Sequence, residues 1–168
     1  MDEVGRGPLA GPVVAAAVIL KKEHGILGLK DSKKLSPKKR SSLFAEINSN
    51  SVSIGIGCVD IKVIDEINIK NATLLAMENA IENLSVRPDQ ILIDGLDKPK
   101  IDIKTNSIIK GDSKIDSIMA ASIIAKVTRD QMMVKYSKIF FEYGFEKNKG
   151  YGTKQHMVAL KNFMSTPI

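Results

Sequence analysis

Gln90-Ile91-Leu92-Ile93-Asp94-Gly95 is a short apolar run that ends in a carboxylate and a turn glycine. A run of this length bounded by turn residues reads as a buried strand. In layered α/β folds, functional side chains gather at the carboxyl ends of such strands, which makes Asp94 a candidate. The competing reading is a plain Asp-Gly turn. Working outward, Val13–Leu20 is a valine-, isoleucine- and alanine-rich strand between Pro12 and Lys21. Ser51–Val59 alternates Val52, Ile54, Ile56 and Cys58 with Ser51, Ser53, Gly55 and Gly57, and its glycines predict an element packed closely on that side. Ile103–Ile109 is a fourth strand candidate.

Helical signals fall between these strands. Ser36-Pro37 is an N-cap followed by proline at the first helical position, opening a helix to about Ile47. Leu74, Met77, Ile81 and Leu84 share one face of a helix over Asn71–Leu84. Ser113–Phe141 holds no glycine or proline, which predicts one long helix or a broken pair, and its Met119–Ala125 stretch is small enough to lie close on a sheet. Lys154–Met164 is a last helix. Strands alternating with helices give an α/β class.

The chain has 168 residues, 43% of them hydrophobic and 26% charged, which suits one globular domain with a packed core. Cys58 is the sole cysteine, so an intrachain disulfide and a cysteine-based zinc cluster are both excluded, and a reducing, cytoplasmic setting fits best. Val13–Leu20, the longest apolar run, is too short to span a bilayer, and Asp2, Glu3, Pro8 and Pro12 spoil any likeness to a secretory leader. The net charge of +6 is unevenly spread: residues 1–48 carry +4, residues 49–94 carry −4 and residues 95–168 carry +6. Basic ends that meet in the fold would form a face for a polyanion; the competing reading is a solvated lysine surface.

The residues available for chemistry narrow the reaction. Only two histidines, His24 and His156, are present and no GxSxG elbow occurs, which argues against acyl transfer. The phosphate-cradling spacing GxxxxGK[ST] is absent, which argues against an NTP-binding enzyme. Carboxylates remain in quantity: Asp2 and Glu3 at the start, Asp94 at a strand end, and Asp112 after Gly111, where an N-cap of the long helix is the default reading. Hard oxygen ligands favour Mg²⁺ or Mn²⁺, and carboxylates from separate elements can hold two such ions about 3.5–4 Å apart for phosphoryl chemistry. With basic ends, that combination points to a nuclease. Gly5-Arg6-Gly7-Pro8-Leu9-Ala10-Gly11-Pro12 is a stiffened glycine loop able to bring backbone close to a ligand, or simply a turn.

Five blocks, taken in order, resemble the ribonuclease HII family: Asp2–Val13, Asp31-Ser32-Lys33-Lys34-Leu35-Ser36, Ile91–Gly95, Lys110–Ser113 leading into Ala120–Asp130, and Lys149-Gly150-Tyr151-Gly152-Thr153-Lys154. The resemblance implies a ribonuclease H-like fold, a mixed β-sheet flanked by α-helices, across residues 1–168. It implies cleavage of RNA paired to DNA, and nicking 5′ to a ribonucleotide embedded in duplex DNA, leaving 3′-hydroxyl and 5′-phosphate ends. Carried over, Asp2, Glu3, Asp94 and Asp112 would bind the two Mn²⁺ or Mg²⁺ ions. Gly5, Arg6 and Gly7 would recognise the 2′-hydroxyl that separates RNA from DNA, with Tyr151 beside that junction, and Ser32 and Lys33 would contact the nucleic-acid backbone. A monomer acting on hybrid or ribonucleotide-containing duplex is expected, with no membrane role and with any replication-clamp partner unidentified.

The same likeness makes the chain read as one domain trimmed at both ends, because family members carry residues before the Asp-Glu pair and after Ile168. Two readings therefore stand: an active two-metal ribonuclease, and a weak fragment that only binds hybrid or duplex. The remaining residues have plainer expectations. His24 and His156 are read as surface groups, with His156, which follows the Tyr151 loop, also able to approach the substrate; Met119, Met132 and Met133 are read as core filling, and Asp130 as an ion-pair or packing residue.

Overall fold

Strand β2 (Val13–Leu20) sits between β1 (Asp2–Val4) and β3 (Ser51–Val59), antiparallel to both, in a computed structural model that describes residues 1–168. A parallel pair, β4 (Gln90–Asp94) and β5 (Lys104–Ile108), lies beyond β1. Met1 joins the two sheets: its amine donates to the Leu92 carbonyl at 2.7 Å and its carbonyl accepts from the Asp94 nitrogen at 3.1 Å. The strands thus run in the order β3-β2-β1-β4-β5, with β1 parallel to β4.

Side chains alternate faces along a strand, and β2 uses this to build two cores. Val13, Ala15 and Ala17 pack with Ala72, Ala76, Met77 and Ala80 of helix α2 (Ile61–Glu82) on one face. Ala16 and Val18 pack with Leu43 and Ile47 of α1 (Pro37–Asn50) and with Ala120, Ala121 and Ile124 of α3 (Asp116–Ser137) on the other. A small third cluster joins Ala10 and Met133 to Tyr143, to Phe145 of α4 (Phe145–Asn148) and to Ala159 of α5 (Lys154–Phe163). This is the expected mixed sheet between helical layers.

Most expected elements are present, with instructive shifts. Gly55 and Gly57 do face a close neighbour: a Cβ at either would run into a carbonyl of α2, that of Ala80 or Ala76. The glycine side of β3 is therefore its buried side, whereas Val52 and Cys58 on the apolar side are exposed. The helix read over Asn71–Leu84 begins earlier. Asp60 caps its first turn, and a break at Asn68 (φ 68°) is followed by a second start in which the Asn68 side chain accepts from the nitrogens of Lys70 and Asn71. Asp112 is not the N-cap of the long helix. Lys110 turns left-handed, Gly111–Ser113 forms one 3₁₀ turn, and α3 starts only at Asp116.

Candidate active site

Asp2 pairs in register with Ala16, so its side chain points to the α3 face of the sheet. The bridge through Met1 sets Met1 opposite Ile93, both in the α2-side core, which leaves Asp94 beside Asp2 on the α3 face. Two carboxylates ninety-two positions apart are thus neighbours because β1 and β4 are parallel partners. Asp94 Oδ1 accepts from the Gly111 nitrogen at 2.7 Å and so anchors the turn that carries Asp112. Glu3 follows Asp2 directly, and its nitrogen donates to Asp2 Oδ1 at 2.8 Å.

The electrostatics of these acids report their crowding. Burial, and then the charges of Glu3 and Asp94, push the Asp2 carboxyl up to about 7. Burial likewise raises Glu3, with Asp94 adding to it and Arg6 opposing. Asp112 is raised by burial and by Asp94 and Asp31, against the pull of Lys33 and Lys34. Like charges forced together in this way disfavour full ionisation, and a cation among them would restore it. The donor set, four carboxylates and no sulfur or imidazole, fits a hard ion such as Mg²⁺ or Mn²⁺. The acids are neighbours through backbone and charge, yet no three acidic or other metal-binding side chains are gathered tightly enough to form a finished cage.

Two loops flank the carboxylates. In the first, Arg6 is exposed and reaches Glu3 Oε1 at 3.4 Å and Asp97 Oδ2 at 3.5 Å. Gly7 is also exposed, and a Cβ there would lie 3.7 Å from the Tyr151 ring. Tyr151, 42% exposed, stands on the second loop, which the Leu9 nitrogen binds through the Gly150 carbonyl at 2.9 Å. Gly5 has a different reason to be glycine. It is buried with φ +107°, and a Cβ would fall 2.5 Å from the Pro12 carbonyl and 2.8 Å from Arg129 Nε.

Three expectations change here. Ser32 is buried, and its hydroxyl meets that of Ser122 at 2.8 Å, so it faces α3 while Lys33 beside it is the exposed member of the block. His156 is not a surface group. It has no accessible surface, and its Nδ1 lies 3.0 Å from the Tyr151 carbonyl, which it helps hold. His24 is largely covered and pairs with Asp116 at 3.3 Å. Asp130 does form the expected ion pair, with Lys126 at 2.7 Å, and Met133 does fill core space.

Sequence reasoning passed over Arg129. It is fully buried, and its guanidinium donates to three carbonyls: Pro12 through Nε at 2.8 Å, Ala10 through Nη2 at 2.9 Å and Lys149 through Nη1 at 2.8 Å. The available signal was an arginine at the end of an otherwise small, apolar helical run, a position where a charge needs buried partners.

Known proteins similar to this chain fall in one family. A family model described as Ribonuclease HII matches residues 1–167. The Ribonuclease HII of Lactobacillus delbrueckii subsp. bulgaricus is 53% identical over 168 residues, covering the whole chain; the chain spans 65% of that relative's length. The crystal structure of the ribonuclease H2 from Pyrococcus horikoshii superimposes with a TM-score of 0.82 at 30% identity, covering 99% of this chain and 89% of that one. RNase HII from Archaeoglobus fulgidus, solved as a PCNA:RNase HII complex, matches with a TM-score of 0.77 at 25% identity, covering 99% of this chain and 89% of that one.

Proposed function

Because the chain belongs to the ribonuclease HII family, we propose that it is a divalent-metal-dependent endonuclease that cleaves the RNA strand of RNA–DNA hybrids. The finer reading is that it nicks 5′ to ribonucleotides embedded in duplex DNA, leaving 3′-hydroxyl and 5′-phosphate ends. The observation that carries the proposal is Asp94 beside Asp2 on adjacent parallel strands, with Glu3 next in sequence and Asp112 on the turn that Asp94 anchors.

Asp2, Glu3, Asp94 and Asp112 would hold two Mn²⁺ or Mg²⁺ ions. When bound, such ions supply an activated water and a counter-charge for the leaving 3′-oxygen. The chain's own residues do the positioning. Asp94 keeps Asp112 at the site through the Gly111 nitrogen. Gly7 leaves backbone bare opposite Tyr151, where a ribose can enter, and the tyrosine hydroxyl and ring suit a sugar bearing a 2′-hydroxyl. Arg6, folded over Glu3, lines the same entrance. Lys33 and Lys34, close enough to influence Asp112, supply positive charge for the phosphate chain. Ser32 contributes by holding the loop under Lys33. A monomer acting in the cytoplasm, with a PCNA-type partner such as the Archaeoglobus protein has, completes the reading; no helix is long and apolar enough to cross a membrane.

The test is a DNA duplex carrying one ribonucleotide, incubated with Mn²⁺ or Mg²⁺ beside an all-DNA duplex. Nicking 5′ to the ribonucleotide, lost in Asp94→Asn, is the expected result. Folded protein that binds the duplex in a salt-dependent way without turnover would replace this reading with that of a binding fragment.

A further inference from the structure

Arg129 is a buried charge with no acidic partner in contact; all its hydrogen bonds go to backbone carbonyls of two loops. Burying a guanidinium is costly unless its donors are met, so the position asks what this side chain does that an apolar one would not. Its planar fork reaches Ala10 and Pro12 on the first loop and Lys149 on the second at the same time, a reach that a single ammonium lacks. The surrounding backbone has been cleared for it. A Cβ at Gly5 would come within 2.8 Å of Nε, and one at Gly11 within 3.1 Å of Nη2. The same two loops touch again through Leu9 and Gly150, and they face each other across Gly7 and Tyr151.

We propose that Arg129 is a positioning residue that sets the gap between Gly7 and Tyr151, and through that gap the enzyme's hold on a ribonucleotide. The inference rests on the ribonuclease reading for its functional half. Arg129 acts from behind: it pulls the carbonyls of Ala10, Pro12 and Lys149 toward one centre, and the exposed sides of the loops inherit their spacing. Misplacement of a binding surface by about 1 Å is enough to cost large factors in rate or affinity.

The experiment uses the full chain and Arg129→Lys, which keeps the charge and loses the fork. Amide hydrogen exchange at Leu9 reports whether the loops stay docked, and exchange at Ala15 and Ala16 reports the sheet. Nicking of the single-ribonucleotide duplex gives KM and kcat, and an all-DNA duplex as competitor gives Ki. The expected result is faster exchange at Leu9 with Ala15 and Ala16 still protected, KM raised about tenfold, kcat within about twofold and Ki unchanged. Wild-type protection at Leu9, or an unchanged KM, overturns the proposal. So does loss of protection at Ala15 and Ala16, which would make Arg129 a support of the whole core. If the wild-type protein nicks nothing, the ribonuclease reading fails, and the Leu9 exchange still decides the clamp by itself.

Discussion

Asp94 holds Asp112 in place without touching it: its Oδ1 takes the Gly111 nitrogen at 2.7 Å, one residue before the second acid. One carboxylate thereby serves as a candidate metal ligand and as the anchor of another. The two roles separate by mutation. Asp94→Asn keeps an oxygen for Gly111 and removes the charge, so it should retain wild-type thermal stability while nicking falls at least ~100-fold, the upper range seen when supporting residues of metal sites are lost. Asp94→Ala also strands the Gly111 nitrogen, which costs about 1–3 kcal/mol. Melting curves of the two variants should therefore differ although both are inactive.

The raised Asp2 carboxyl makes a contribution to the stability of the metal-free protein that falls as pH rises. Asp2 ionises near 7 in the folded chain and near its ordinary 3.8 when unfolded. Between those values the folded state binds the extra proton, so stability is fully present below about 4 and is lost as pH rises toward 7. Burial lowers the Met1 amine to about 5 and works in the opposite sense between pH 5 and 8, so Asp2 is read from a difference. In EDTA the change in Tm from pH 5 to pH 8 should be more favourable in Asp2→Asn than in the wild type, and Mn²⁺ at pH 8 should raise Tm in the wild type alone.

Gly5 and Gly7 share one motif and should fail differently. Gly7→Ala places a methyl at ordinary contact distance from Tyr151, so Tm should hardly move, as for most surface changes. Its KM for a ribonucleotide-containing duplex should nonetheless rise, because the methyl occupies the entrance. Gly5→Ala meets both a positive φ and the Pro12 carbonyl, and should lower Tm clearly.

Gly57→Ala tests the α2 side of the sheet, remote from the carboxylates. The methyl would collide with the Ala76 carbonyl, and backbone cannot swing aside as a long side chain can. A loss of more than about 2 kcal/mol in urea unfolding is expected, in the range of overpacked cores. Nicking per folded molecule should stay near wild type.

How far the sequence foretold this structure depended on whether a residue's role was local. Ser51–Val59 and Gln90–Asp94 were readable to the residue because alternation and a turn glycine are local signals. Ser36 capping α1 was readable for the same reason. The three residues of β1 carry no period of their own, and only likeness to a family drew attention to Asp2 and Glu3. The helical turns before Asn68 went unread because the Leu74, Met77, Ile81 and Leu84 spacing that marks the helix begins only past the break. His156 looked like a surface group beside Lys154 and Gln155, yet the turn of α5 carries it under Tyr151. Arg129 was hidden for the opposite reason: its partners lie 20 to 119 positions away, and nothing near it in sequence speaks of them.

The bridge through Met1 also bears on the order of folding. Asp2 and Asp94 meet only when β1 and β4 pair in parallel across 91 intervening positions, whereas β2 and β3 can close much earlier through a shorter loop. Pairings of such long sequence separation form late, after most loop entropy has been lost. A chain emerging from synthesis or recovering from denaturant would therefore own a formed β2–β3 ribbon well before it owned a crowded acid cluster. In a refolding time course, recovery of nicking would trail recovery of strand signal, and the lag would measure how long the molecule spends shaped but chemically silent.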